Sequence, residues 1–119
     1  MKLFNRTIGA KALMLRVKTG TAASNAITIQ GENLMITTEA LTTAQNALYT
    51  LTITNASIKA TSMVFVTVGN GTNSQGTPML TKVTPAAGSC VLLVANKHAS
   101  AEAFNGTLKI GVMVINPLP

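Results

Sequence analysis

The side chains here that could do chemistry are few and scattered. The chain has one histidine, His98, one cysteine, Cys90, and three carboxylates, Glu32, Glu39 and Glu102, with no aspartate and no tryptophan. Catalysis by acid, base or nucleophile needs titratable groups set against one another with shifted pKa values. His98 lies in Asn96-Lys97-His98-Ala99-Ser100, with Glu102 four residues on. A metal centre takes three or four ligands, and there is no second histidine to help. An esterase- or lyase-like site would need a nucleophile beside the base. The sequence identifies no Ser or Cys partner for His98 and no Asp to orient it. His98 is therefore expected to be a loop residue with a structural or interface hydrogen bond. Cys90 sits in Ser-Cys-Val-Leu-Leu-Val and reads as a small buried hydrophobe. The expectation is a protein that is not an enzyme and holds no metal or cofactor.

Two further motifs dissolve on inspection. Gly69-Asn70-Gly71-Thr72-Asn73-Ser74-Gln75-Gly76 suggests a phosphate loop, but that motif needs Lys then Ser or Thr after its last Gly, followed by a helix. Thr77-Pro78 follows instead. A long exposed connection is the simpler reading. Asn55-Ala56-Ser57, Asn70-Gly71-Thr72 and Asn105-Gly106-Thr107 match the N-glycosylation triplet. They carry weight only on a secreted chain. Arg6, Lys11, Arg16 and Lys18 break every apolar window near the N-terminus, so no signal-peptide core forms there. No stretch reaches the ~18 apolar residues of a membrane helix. The chain reads as made in a cytoplasm.

The scaffold that positions these groups is rich in Thr and Asn and poor in charge. The 119 residues include eighteen Thr, ten Asn and nine Gly; 47% are hydrophobic and 10% charged. That is one domain with enough apolar residues for a core. Disorder needs the opposite balance. So few charges suit a surface largely covered by partners. The net charge is +6, and five of the nine cations lie in the first 18 positions: Lys2, Arg6, Lys11, Arg16 and Lys18. No acid precedes Glu32. Residues 1–20 read as a basic arm and residues 21–119 as the folded domain. An arm of this kind favours an acidic partner surface. Lys2, Phe4, Arg6, Lys11, Arg16 and Lys18 are the candidate partner-binding residues. Sequence-specific nucleic-acid binding is not expected. Only Phe4, Tyr49, Phe65 and Phe104 are aromatic, and Tyr49 and Phe65 fall on expected core positions.

The pattern is one of short strands with regular turn signals. Strands are expected at 12–18, 26–30, 33–37, 47–54, 62–68, 79–83, 89–95 and 107–115. Residues 19–25 read as loop, and residues 39–46 as coil or a 3₁₀ turn. In 47–54, Tyr49, Leu51 and Ile53 alternate with Thr, the mark of a sheet with one wet face. In 62–68 both faces are apolar, so a central or doubly covered strand is expected. Pro85 and Gly88 mark the turn after 79–83. A helical turn is possible at 99–104, and Asn105-Gly106 is the strongest short hairpin signal. Parallel pairing needs long crossovers and no helix is visible to supply them. The expected fold is all-β: an antiparallel β-sandwich or jelly-roll-like domain of about eight strands.

Several stretches together resemble a known group. They are Ile36-Thr37-Thr38-Glu39-Ala40-Leu41-Thr42-Thr43-Ala44, Tyr49-Thr50-Leu51-Thr52-Ile53-Thr54-Asn55, Asn70-Gly71-Thr72-Asn73, Val83-Thr84-Pro85-Ala86-Ala87-Gly88-Ser89 and Asn96-Lys97-His98-Ala99-Ser100-Ala101. This framework resembles the small all-β virion proteins of tailed double-stranded DNA phages, found as capsid decoration (cement) proteins, with similar modules in fibres. The likeness covers roughly residues 34 to 115. It implies a trimeric jelly-roll-like domain on the outer capsid surface, the major capsid protein as partner, and no catalytic residues. The alternative is a tail-fibre or receptor-binding module using loops such as 69–78. Met63, Phe65, Leu93, Met113 and Ile115 fall on second faces of strands that already have a core face. A homotrimer is expected to cover them.

Overall fold

A computed structural model describes residues 17–117. Eight strands form two packed sheets: β1 (Lys18–Thr21), β2 (Ala26–Thr28), β3 (Asn33–Thr37), β4 (Leu48–Thr54), β5 (Met63–Asn70), β6 (Pro78–Ala86), β7 (Ser89–Asn96) and β8 (Leu108–Ile115). One sheet has the order β1-β3-β8-β5 and the other β2-β4-β7-β6. The fold is an all-β sandwich, as expected. There is no helix among the described residues; 39–46 and 99–104 are both non-helical.

Period-two alternation builds the core. In the first sheet Leu34, Ile36, Leu108, Ile110, Val112 and Val114 point inward and are buried. Register sets Ile36 beside Ile110 and Leu34 beside Val112. In the second sheet Tyr49, Leu51 and Ile53 pair with Val94, Leu92 and Cys90. Each such aliphatic side chain stabilises the fold by about 1.5–3 kcal/mol on full burial. Ile58, Phe104 and Leu41 join the core from the connections.

The principal pairings β3–β8, β4–β7, β5–β8 and β6–β7 are antiparallel, but β1–β3 and β2–β4 are parallel. The expected uniform antiparallel pairing is corrected here. The crossover that a parallel pair needs comes from the opposite sheet rather than from a helix. The chain between β1 and β3 runs through β2, and the chain between β2 and β4 runs through β3. The pairings establish a two-sheet sandwich.

Four local expectations change. Residues 19–21, read as loop, lie in β1, because they find a ladder partner in β3. Most of the expected strand 12–18 lies outside the described residues. β6 does not stop at Val83 but runs through Pro85 to Ala86. Proline is tolerated there because β6 is a sheet edge, so its missing N–H leaves no ladder bond unmade. Asn105-Gly106 makes no hairpin, since the chain is passing from one sheet to the other. Its Gly serves close approach: a Cβ on Gly106 would sit 2.6 Å from Thr72 Oγ1 and 2.8 Å from Asn73 N. Finally, β5 is an edge strand and not a central one, with Phe65 on the outside at 51% exposure. Its second apolar face is left uncovered by the described residues.

Buried polar side chains tie the connections to the sheets. Thr38 donates to the Glu39 carbonyl and accepts from the Leu108 N–H. Asn55 donates to the Gly31 carbonyl and accepts from the Ser57 N–H. Asn73 donates to Asn70 Oδ1 and the Gln75 carbonyl and accepts from the Asn105 N–H. No buried side-chain polar atom among the described residues lacks a partner.

Candidate interaction surface

Three strands of the first sheet present their outward residues together. β3 contributes Asn33, Met35 and Thr37, β8 contributes Lys109, Gly111, Met113 and Ile115, and β5 contributes Met63, Phe65, Thr67 and Gly69. Register makes rows of them. Met63 lies beside Ile115, Phe65 beside Met113, and Gly111 between Thr67 and Met35. Val17 adds to the patch at 55% exposure. Lys109 is the one charged residue among the outward positions of these three strands.

A shallow groove of about 250 Å³ runs through this face, lined by Val17, Met35, Phe65, Thr67, Gly111 and Met113 among others. Gly111 forms its floor. A Cβ there would meet Thr67 Oγ1 at 2.6 Å and would fill the space that Met35 borders. An apolar, nearly uncharged sheet face of this kind is a candidate contact surface. The outer face of the second sheet is more polar: Thr50, Thr52, Thr54, Lys82 and Thr84 stand around Val91 and Leu93. Its exposed Leu48 and Met79 both flank Ala95 and bury it. Of the residues expected on second faces, Met63, Phe65, Met113 and Ile115 share the first sheet's outer face, whereas Leu93 lies on the other sheet.

Of the candidate arm residues, Lys18 opens β1 and is exposed, next to Val17 at the rim of the groove. Lys2, Phe4, Arg6, Lys11 and Arg16 lie outside the described residues.

A second cluster gathers at the loop 97–106. His98 Nε2 is 3.4 Å from Glu102 Oε1, and Ser100 Oγ is 3.2 Å from His98 Nδ1. The sequence reading missed this serine, because partners two residues apart on a loop leave no periodic signal. The geometry is that of a clasp. The Ser100 N–H also points at Nδ1, and Glu102 Oε1 accepts the Gly76 N–H at 2.7 Å. Both lone-pair sites that a triad would need are thus shared with local backbone. No group of three or more His, Cys, Asp or Glu among the described residues is placed to hold a metal.

A second concavity, of about 400 Å³, is bordered by Asn25, Glu39, Thr43, Tyr49 and Thr50. Glu39 accepts from the Asn25 N–H at 2.7 Å and from the Tyr49 hydroxyl at 2.8 Å. Burial pushes the Glu39 carboxyl up, but the bonds from Tyr49, its own backbone and Asn25 outweigh that and hold it below the usual range. Burial, the bond to Glu39 and its charge push Tyr49 well up. These groups satisfy each other and leave little to offer a ligand.

No protein-family model, curated protein or solved structure matches the chain.

Proposed function

We propose that this chain is a structural virion protein, a decoration (cement) protein of a tailed-phage head. On this reading it sits as a homotrimer on the outer capsid surface, after synthesis in the host cytoplasm, and bridges copies of the major capsid protein. The observation that carries the reading is the apolar outer face of β3, β8 and β5. A sandwich with a complete internal core has no internal use for Met35, Met63, Phe65, Met113 and Ile115 on its outside. Covering them in neighbours yields on the order of 5 kcal/mol per copy before association costs, at about 1 kcal/mol for each half-exposed side chain. Many weak, identical contacts suit a protein present in many copies. The scarcity of catalytic groups and the resemblance over the framework residues point the same way. The basic arm would steer docking while Leu3, Phe4, Ile8, Leu13 and Leu15 anchor it.

Mass spectrometry of purified virions tests the proposal. Hundreds of copies in mature heads are expected. A few dozen or fewer would favour the fibre module, and absence from the virion would overturn both. A chain lacking residues 1–11 should fold and still bind stripped capsids, but more weakly. If it binds as tightly as the full chain, the arm is not the anchor.

A further inference from the structure

We propose, resting on the reading of this sheet face as a contact surface, that the groove over Gly111 takes one apolar side chain of a partner protein while Lys109 takes a carboxylate beside it in the partner's chain. The groove exists because β8 breaks its own pattern. Its outward positions carry Lys109, Met113 and Ile115, but at Gly111 the side chain is missing. Glycine weakens a strand interior and marks a place where another group comes close. On the β5 side, Thr67 Oγ1 would lie 2.6 Å from a Cβ on Gly111; on the β3 side, the Met35 methyl would lie 3.7 Å away. The space between them is almost wholly apolar, and Val17, Phe65 and Met113 also wall it. Two of these walls are methionines, whose flexible thioether chains repack around an incoming group. At about 250 Å³ the groove is smaller than the ~300–1,000 Å³ of pockets that enclose small molecules, so a single anchoring side chain is the occupant that fits.

The charge comes from the same strand. Lys109 is the next outward residue of β8 from Gly111, about 7 Å along the strand, and it is exposed. The chain offers it no carboxylate side chain. Glu102 sits against His98 in the single ion pair among the described residues. Glu39 is bonded to the Tyr49 hydroxyl and the Asn25 N–H. Glu32 lies past the far end of the β3–β8 ladder, where its carbonyl accepts the Val114 N–H, whereas Lys109 pairs with Thr37 at the opposite end. Residues 1–16 contain four cations and no acid. A carboxylate for Lys109 therefore has to come from another molecule, and a chain of net charge +6 favours partners that carry one. The buried apolar anchor would supply most of the affinity, and the exposed ion pair would select among partners.

Nuclear magnetic resonance of the full chain, labelled at its methionine methyls, tests this. The probes are phenylbutyrate, phenylbutanol and phenylbutylamine, which share one apolar body and differ in the head group. The Met35 and Met113 methyls should shift saturably with each probe, and Met79, on the other sheet, should not. Phenylbutyrate should bind about two- to five-fold tighter than the alcohol, the size expected of an exposed ion pair, and tighter still than the amine. Lys109→Glu should reverse that order. Lys82→Glu makes the same change in net charge on the other sheet and should keep it. Gly111→Ala should abolish the shifts; if that variant fails to fold, Phe65→Ala, at an exposed wall of the groove, should weaken all three probes alike. The proposal is overturned if Met35 and Met113 stay silent at millimolar probe, whatever part of the chain fills the groove. It is also overturned if Met79 shifts equally, or if Lys109→Glu leaves the head-group order unchanged. A negative result would remove this site and leave the copy number in virions to decide the function proposed above.

Discussion

The side-chain amide of Asn96 donates to the Glu102 backbone carbonyl at 2.7 Å, fastening the loop 97–106 to the end of β7. The same amide donates to the Thr43 carbonyl, and its oxygen accepts from the N–H groups of Thr77 and His98. All four positions of the carboxamide are used, in a residue with no exposure. Asn96→Ala would leave the Thr77 and His98 N–H groups and the Glu102 carbonyl in want of a partner, while the Thr43 carbonyl keeps the Phe104 N–H. A loss of about 3 kcal/mol is expected in urea unfolding. Asn96→Asp should cost more, because a carboxylate would face two carbonyls. A loss under about 1 kcal/mol would mean that water replaces the amide.

Gly76 and Gly88 make a controlled pair. Both have positive φ, 73° and 81°. A Cβ on Gly88 meets nothing within 4 Å, whereas on Gly76 it would lie 2.7 Å from Phe104 Cδ1 and 2.9 Å from Asn96. Gly88→Ala should cost about 1 kcal/mol from conformation alone, and Gly76→Ala at least twice that, since a buried ring must also move. Equal losses would show that the crowding at Gly76 relaxes freely.

Glu39 and Tyr49 set two pH limits. The lowered carboxyl of Glu39 contributes stability that is present above its ordinary value of 4.5 and fades as pH falls through the lowered value. Tyr49→Phe should cost about 1 kcal/mol near neutrality and flatten the stability profile below pH 4.5. Tyr49 is raised above its ordinary value of 10.0, so its contribution is present below pH 10 and lost above it. It is the single tyrosine of the chain. The phenolate absorbance should therefore appear together with unfolding. A phenolate signal in the native protein near pH 10 would show that the ring is not shielded.

Cys90 has no exposure, and burial pushes its thiol up despite a bond with the Thr84 backbone. A disulfide reagent should label it only after unfolding, with a rate that follows denaturant concentration. Rapid labelling of native protein at neutral pH would mean that β6 opens locally from β7.

Alternation alone made much of the fold legible. Tyr49, Leu51 and Ile53 against Thr, and the apolar run 89–95, specify strands and an inward face because strand side chains have a period of two. Turn chemistry at Gly88 was equally plain, since a local backbone requirement leaves a local signature. Pairing left no such trace. Nothing near residues 18–21 says that β3 will accept them in parallel, and Pro85 reads as a strand end until its pairing with Cys90 shows that it lies inside an edge strand. Phe65 shows the limit best. Its strand reads as apolar on both faces, which fits a central strand as well as an edge with an uncovered side. The choice rested on which strand lies next to β5, a contact between residues more than forty positions apart. The clasp of His98, Ser100 and Glu102 was hidden for a related reason, since loop conformation and not spacing brings those atoms together. Composition determined that this chain is a β-sandwich with little catalytic inventory. Only the tertiary structure decided which sheet face is left apolar and open, because that depends on strand order, and strand order is set by the packing of the whole.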